Sequence, residues 1–206
     1  MTRADGNVVV RELKGLLGRR GWLRATSGNL SARLSDGTVL ITASGTDKQR
    51  EVEGDLVVVG LDGARHDDGP GRPSAETALH LVVYRHTTAS VVIHVHTVFN
   101  NLVGQDEEAI HFQDHEMLKA LGHWDEGASI AVPVLPNHAD LSILADVAAR
   151  RLDPRVPGFL VRRHGVYAWG ASPQDAIRHL EALEFLFEWV FYRDLRGRNL
   201  TPSPAS

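Results

Sequence analysis

Apolar residues recur at helical spacing in four stretches of the chain. In the first stretch, Val10, Leu13 and Leu17 stand three or four residues apart, and Asn7 is placed to cap the helix. The last stretch begins with Ser172 as its cap and has an aromatic-rich stripe, which either completes a core or faces a neighbouring subunit. The pattern predicts helices over residues 7–20, 74–85, 141–152 and 172–195.

Short runs rich in β-branched residues separate these helices. Residues 25–33 and 38–42 flank a turn and predict a hairpin. Residues 131–135 include Pro133, which favours an edge strand because proline has no N–H to give to a neighbouring strand. Further strands are predicted at residues 56–59, 90–97, 158–161 and 165–169.

Helices flanking a β core indicate an α/β fold with three α/β/α layers. The chain of 206 residues has the size of one domain, so we expect a single domain over residues 1–206, with its core at about 7–195 and a mobile tail at 197–206. No glycine-rich dinucleotide fingerprint follows any predicted strand.

Composition excludes several classes of function. The net charge is −4 and the basic residues are scattered, which argues against a nucleic-acid partner but permits small anions. The absence of cysteine excludes disulfides, thiolate metal ligands and a cysteine nucleophile. Apolar runs are short, and charges such as Arg3 and Asp5 interrupt the amino terminus, so we expect no membrane span or signal peptide and a cytoplasmic protein.

Histidines supply the first candidate chemistry. His94 and His96 are two residues apart on a predicted strand, so both rings leave the same face and can converge on one metal ion. His164 follows another strand, in a turn from which its ring can project into a cleft. Three imidazoles with one open position are typical of catalytic zinc, although structural histidines on a half-exposed strand give the same spacing.

The other histidines have weaker claims. His115 could line the site, or could equally be an ordinary surface residue. Solvated or hydrogen-bonded surface positions are expected for His66, His80, His86 and His179.

Two loops and one helix start have the groups that a phosphate needs. Glycine that exposes backbone amides stands beside hydroxyl, amide or lysine side chains in both loops, and an amino-terminal helix turn also favours an anion. Ordinary turns use the same residue types, so each loop alone is ambiguous. The candidate phosphate-binding residues are Ser27, Gly28, Asn29, Ser44, Gly45, Lys48 and Ser74.

Two glutamates are candidate proton carriers. Glu76 lies in the first turn of a predicted helix, and Glu116 lies in a short predicted helix that Asp114 caps and Gly122 ends. Each carboxylate could simply be solvated, or could act beside a metal as a base. Glu76 could also be a metal ligand.

Several motifs together resemble the class II aldolase superfamily, and more closely its branch of methylthioribulose-1-phosphate dehydratases. The resemblance covers about residues 7–195, and its last two motifs are the more specific to that branch. The motifs are Thr26-Ser-Gly-Asn-Leu-Ser31, Thr42-Ala-Ser-Gly45, Pro73-Ser-Ala-Glu-Thr77, Ile93-His-Val-His-Thr97, His115-Glu-Met-Leu-Lys119 and Arg162-Arg-His-Gly-Val-Tyr-Ala-Trp-Gly170.

The resemblance implies a central, mainly antiparallel sheet and a fourfold homotetramer with its site near a subunit boundary. It implies one Zn²⁺ per subunit on His94, His96 and His164, and a phosphorylated ketose as substrate. Glu116 would be the catalytic acid/base, while Glu76 matches the catalytic glutamate of the aldolases, which leaves their division of labour open. The expected reaction removes the carbon 4 hydroxyl through an enediolate and yields a diketone phosphate and water.

Two other functions stay open. An aldolase or epimerase would use the same metal and phosphate motifs, because it forms the same kind of intermediate. A non-catalytic adducin-like interaction domain would share the fold, although that interpretation predicts loss of the three histidines, which are all present.

Overall fold

The computed structural model describes the backbone of residues 1–200 and the side chains of residues 1–197. One eight-stranded sheet runs through the molecule. Its strands are β1 (Asn29–Arg33), β2 (Val39–Thr42), β3 (Leu56–Val59), β4 (Val91–Val95), β5 (Ala109–Gln113), β6 (Ser129–Leu135), β7 (Gly158–Val161) and β8 (Gly165–Gly170).

The strands lie in the order β3-β2-β1-β4-β8-β7-β6-β5. All neighbours are antiparallel except β6 and β7, which run parallel. The mainly antiparallel sheet is therefore confirmed. Its centre is the pairing of β4 with β8, which joins the amino-terminal four strands to the carboxy-terminal four, and every residue of both strands is buried.

Helices cover both faces of the sheet. The elements are α1 (Arg3–Arg19), α2 (Thr77–His86), α3 (Val98–Leu102), α4 (Leu141–Arg151), α5 (Pro173–Leu200) and a 3₁₀ helix (Glu116–Leu121). One apolar cluster joins a sheet face to α1, α5 and the 3₁₀ helix through Leu17, Leu180 and Leu118. A second cluster joins the other face to α2 and α4 through Leu79 and Leu144. The predicted three α/β/α layers are confirmed.

Several helix ends differ from the prediction. Helix α1 begins at Arg3 because Thr2 and Asp5 form a reciprocal capping box, so Asn7 is inside the helix and donates to the Arg3 carbonyl. The short helix is capped by His115, whose ring nitrogen accepts from the Met117 amide, and not by Asp114. Helix α2 begins at Thr77, after a turn that starts at Ser74.

Helix α5 also exceeds its predicted length. It continues through Gly197 to Leu200, beyond the expected end near Leu195. The rest of the expected tail, residues 201–206, lies outside the described residues.

The prediction of an edge strand around Pro133 was wrong. Strand β6 lies between β7 and β5, and β5 was not predicted from the sequence, nor was the short helix α3. Pro133 is tolerated because β6 pairs with β7 only at Val134 and Leu135, beyond the proline. In the part of the chain that is described, no helix is long and apolar enough to cross a membrane.

Candidate active site

Four side chains converge beside the seam between β4 and β8. Ligand atoms of Glu76, His94, His96 and His164 all lie within 4.8 Å of one another. Glu76 immediately precedes α2, His94 lies on β4, His96 follows the end of that strand, and His164 lies in the turn between β7 and β8. The three histidines predicted as metal ligands are thus brought together with one of the two candidate glutamates.

Strand β4 and the residue that follows it direct His94 and His96 into the cluster. His94 is fully buried, and its Nδ1 donates to the Val166 carbonyl at 3.0 Å, across the seam. That bond leaves Nε2 as the lone-pair nitrogen, and it faces Nε2 of His96 at 2.8 Å. Tyr167 stacks on the His94 ring, with 4.0 Å between centroids, and so fixes the plane of the imidazole.

The turn before β8 brings in the third ring. The His164 amide bonds to the Val161 carbonyl, and Arg163 adopts a left-handed conformation with a φ of 53°. Position 165 must be glycine because its backbone lies against β4. A Cβ there would lie 2.7 Å from the His94 ring and 2.5 Å from the Val95 carbonyl.

Glu76 closes the cluster. Its Oε1 lies 2.8 Å from Nε2 of His164, and its Oε2 accepts a 2.5 Å hydrogen bond from Nδ2 of Asn29. Burial by itself would raise the pKa of Glu76, but His94, His164 and the Asn29 bond outweigh burial and lower it. Glu76 is therefore a carboxylate at neutral pH.

The residues fit a divalent cation. Burial lowers the pKa of His94 far below its usual value and that of His96 to about 4, so both rings are neutral and have lone pairs to give. Oε1 of Glu76 is buried and, although 2.8 Å from Nε2 of His164, makes no well-aligned hydrogen bond among the described residues. Nδ1 of His164 is also buried and has no hydrogen-bond partner there. Three imidazoles and a carboxylate suit Zn²⁺ and related divalent ions, so this group could bind a metal.

The first predicted phosphate loop lies against the cluster. Gly28 has a φ of +78°, and a Cβ there would meet the His94 carbonyl at 2.9 Å, so only glycine permits this approach. The Ser27 hydroxyl donates to the Arg24 carbonyl. The Asn29 side chain is buried and bonded to Glu76, so its amide contacts the carboxylate, while its predicted contact with phosphate stays a prediction.

The second loop and the start of α2 come together. The Ser44 amide bonds to the Arg72 carbonyl, and Ala43 bridges to Pro73, next to Ser74. Ser44 and Gly45 are exposed. The Ser74 hydroxyl accepts from the Glu76 amide, so the three predicted phosphate-binding segments all border Glu76 or its neighbours.

Lys48 adds a buried positive charge to that loop. Its Nζ donates to the Thr46 carbonyl at 2.8 Å, and no ion pair with a carboxylate is found for it among the described residues. Burial first, and then the charge of Lys14, lower the pKa of Lys48. The segment between this loop and β3 is held to α1 by the buried Lys14–Asp55 ion pair, 2.6 Å long. An anion near Lys48 would relieve its desolvation.

Glu116 is not part of the cluster within one chain. It lies on the 3₁₀ helix with its side chain 82% exposed, and its Oε1 pairs with Nζ of Lys119 at 2.9 Å. The preceding residue, His115, packs edge-on against Phe185 and Trp189 of α5. The role expected for Glu116 stays a prediction, and one isolated chain does not bring its carboxylate to the histidines.

His80 does not lie at the surface, where it was expected. It is fully buried, and its two ring nitrogens contact Asn29 and Ser31. A signal was available, because Glu76, His80 and Tyr84 are spaced four residues apart and therefore share one helix face.

A cleft of about 810 Å³ opens beside His96. Its lining includes the aromatic side chains Trp22, Phe99 and Phe185, together with Glu184. Glu184 is 6% exposed, accepts from Nδ2 of Asn100 at 2.8 Å and bonds to the Thr97 hydroxyl. It thereby holds the start of α3 next to His96.

We expect Glu184→Gln to stabilise the protein at pH 8. Burial raises the pKa of Glu184 to about 7 from a usual 4.5, so its contribution to stability is greatest below pH 4.5 and is lost as pH rises to 7. The free energy of unfolding is expected to fall by about 3 kcal/mol over this pH range in the parent protein. Glutamine has nearly the same shape as the protonated acid and stays uncharged, so the variant should not show this fall. Urea unfolding at pH 5 and pH 8 measures the difference.

The exposed Glu53→Gln variant is the matched control for Glu184→Gln. It makes the same change of charge and should keep the pH dependence of the parent protein. Equal pH dependence of stability in the Glu184 variant and the parent would contradict the assigned ionisation.

Comparison with known proteins identifies relatives over nearly the whole chain. Residues 9–191 match the sequence model of the family described as Class II Aldolase and Adducin N-terminal domain. The methylthioribulose-1-phosphate dehydratase of Geobacillus thermodenitrificans is 42% identical over 197 residues, which cover 93% of each protein. The dehydratase of the same name from Persephonella marina is 43% identical over 88% of this chain and 87% of its own.

Solved structures agree on the fold. L-fuculose-1-phosphate aldolase from Thermus thermophilus is 26% identical and superposes with a TM-score of 0.74, covering 95% of this chain and 98% of its own. YgbL from Klebsiella pneumoniae gives a TM-score of 0.77 at 26% identity, covering 93% and 91%. The sheet, the layers and the sequence match agree, and the chain belongs to the class II aldolase family.

Proposed function

We propose that this protein is a methylthioribulose-1-phosphate dehydratase, a zinc-dependent hydro-lyase of methionine salvage. It would convert 5-methylthioribulose 1-phosphate to 2,3-diketo-5-methylthiopentyl 1-phosphate and water. The observation that carries the proposal is the group of three neutral imidazoles and Glu76, in a chain 42% identical to a dehydratase of that name.

Each part of the substrate finds a chemical counterpart near the cluster. The segments around Ser27, Ser44 and Ser74, with the buried ammonium group of Lys48, would bind the phosphate. The aromatic wall of the cleft beside His96 suits the apolar methylthio end. The site would thus hold the substrate across the histidines.

The proposed chemistry is an elimination. A divalent cation on the histidines would supply Lewis-acid stabilisation of negative charge on neighbouring substrate oxygens. Glu76, an ionised carboxylate at the cluster, would accept the proton from carbon 3. Glu116 would protonate the departing carbon 4 hydroxyl, and tautomerisation would then give the diketone.

A sugar-phosphate aldolase or epimerase is the second candidate function. It is supported by the structural similarity of this chain to the L-fuculose-1-phosphate aldolase of Thermus thermophilus. An adducin-like interaction domain would not require the preserved cluster of donors.

Direct turnover distinguishes these functions. The purified protein with Zn²⁺ should release a diketone phosphate from 5-methylthioribulose 1-phosphate, observed by absorbance and mass spectrometry. Aldehyde fragments would establish the aldolase instead. Absence of both stoichiometric metal and turnover would favour the interaction domain.

The homotetramer, the shared site and a cytoplasmic location belong to the same proposal. Phe185, Trp189 and Tyr192 on α5 are 40–56% exposed, which gives an aromatic face suited to a second copy of the chain. Glu116 lies next to that face and is 82% exposed in one chain, so a neighbouring subunit could bring it to a second cluster.

Mixing two inactive variants tests the shared site. His96→Ala lacks a ligand and Glu116→Gln lacks the proposed acid, but co-refolded mixtures contain sites with a complete cluster from one subunit and Glu116 from the other. We expect about a quarter of wild-type turnover from an equal mixture. Mixtures as inactive as the parents would assign Glu116 to the same subunit as the metal or to no catalytic role.

A further inference from the structure

A row of polar side chains crosses the buried interface between α2 and β1. Asn29 and Ser31, two residues apart on β1, face the same side of the strand. Glu76, His80 and Tyr84, four residues apart, face that side of the strand from α2 and the turn before it. All except Glu76 are at most 3% exposed, and Glu76 is the end that opens on the metal-binding group.

Neighbouring side chains in this row are within hydrogen-bond distance of each other. Tyr84 Oη lies 2.8 Å from Ser31 Oγ, which lies 2.7 Å from Nδ1 of His80. Nε2 of His80 bonds to Oδ1 of Asn29, and Nδ2 of Asn29 lies 2.5 Å from Oε2 of Glu76. The chain of bonds therefore runs unbroken from Tyr84 to the carboxylate.

The direction of every bond follows from the contact between Asn29 and Glu76. There Nδ2 of Asn29 donates to Oε2 of Glu76, so the Asn29 carbonyl faces His80. That carbonyl needs a donor, so Nε2 of His80 must hold the proton. Burial lowers the pKa of His80 to about 4, so the ring is neutral and its Nδ1 accepts.

The remaining two bonds are then determined. Ser31 must donate to Nδ1 of His80, and its oxygen is left to accept from the phenol of Tyr84. Burial raises the pKa of Tyr84, so the phenol keeps its proton. The reverse direction would put the Asn29 carbonyl against the Glu76 carboxylate, which places two acceptors in contact without a proton.

We propose that Tyr84, Ser31, His80 and Asn29 form a one-directional hydrogen-bond relay that fixes the orientation of the Glu76 carboxylate beside the histidines. His80, Ser31 and Tyr84 are positioning residues, because they reach the site only through Asn29. Their effect on catalysis rests on the proposed function, whereas the bond directions do not.

The tautomer of His80 is the first test. Long-range ¹H–¹⁵N spectra of protein labelled in its histidines should show one neutral Nε2–H ring that is absent from His80→Leu. The relay would be overturned if the His80 ring were neutral with its proton on Nδ1, or were an imidazolium at pH 7. This measurement needs no turnover, so it stands even if the dehydratase proposal fails.

Turnover of three variants is the second test. His80→Leu removes the donor to Asn29, and we expect kcat to fall roughly 10- to 100-fold with unchanged metal content and little change in KM. His80→Gln keeps an N–H donor and should recover part of that loss. Tyr84→Phe, at the far end, should lose less than His80→Leu.

A purely structural role for His80 predicts a different pattern. Equal losses in His80→Leu and His80→Gln, or a change in KM alone, would overturn the relay. If His80→Leu does not fold, Ser31→Ala takes its place, because it leaves Nδ1 of His80 without a donor. Wild-type kcat and an unchanged His80 resonance in Ser31→Ala would then overturn the proposal.

Discussion

His96→Ala is expected to lose its metal ion and at least about a thousandfold in turnover. The ring of His96 is neutral and its Nε2 lies 2.8 Å from Nε2 of His94, so its removal takes away one of three neighbouring imidazole donors. Metal per subunit, measured by atomic absorption after dialysis, should fall from about one to a small fraction.

The control for this variant is His86→Ala. His86 is exposed at the end of α2 and is not part of the four-residue group. It should keep both metal and turnover. Full metal occupancy in His96→Ala, or full turnover of the parent protein after chelation, would refute the metal site.

Glu76→Gln and Glu116→Gln are expected to abolish the reaction at different steps. Each should reduce dehydration about 10²- to 10⁴-fold, the usual contribution of a general acid or base. Glu76 lies at the histidines as an ionised carboxylate, so Glu76→Gln should also prevent exchange of the carbon 3 hydrogen with D₂O. Glu116→Gln should keep its metal and continue that exchange while water is no longer eliminated.

Exchange measured by NMR alongside product release separates the two roles. Glu53→Gln, an exposed carboxylate far from both residues in sequence, controls for loss of charge. Loss of exchange in Glu116→Gln with retained exchange in Glu76→Gln would reverse the assignment. Wild-type turnover in Glu116→Gln would remove that residue from the mechanism.

Much of the fold follows from local patterns. The hairpin of β1 and β2, the pair β7 and β8, and the helices α4 and α5 were predicted because each has strong periodicity or a clear cap. Strand β5 was missed because it is short and buries only Ile110 and Phe112, while His111 and Gln113 are exposed. Pro133 led to the wrong prediction of an edge strand. Its missing N–H would prevent pairing only at a position where a neighbouring strand accepts a hydrogen bond from it.

The candidate site was predicted unevenly. His94 and His96 share a strand, so their convergence could be predicted, and His164 was placed in the right turn. The spacing of Glu76, His80 and Tyr84 indicates a shared helix face, but the polar partners that allow His80 to be buried lie on β1, 49 and 51 residues away in sequence. The position of Glu116 relative to a metal-binding group in another subunit depends on how the chains pack together, and this packing could not be predicted from one sequence.

The seam between β4 and β8 has a consequence for synthesis of the protein. His94 and His96 come from the first half of the sheet, whereas His164 and the Val166 carbonyl that holds His94 come from the second. A nascent chain can therefore assemble the complete set of donors only after β8 has left the ribosome and paired with β4. Only chains in which both halves of the sheet have paired would then bind the metal tightly. Incompletely synthesised chains would bind a scarce metal ion weakly.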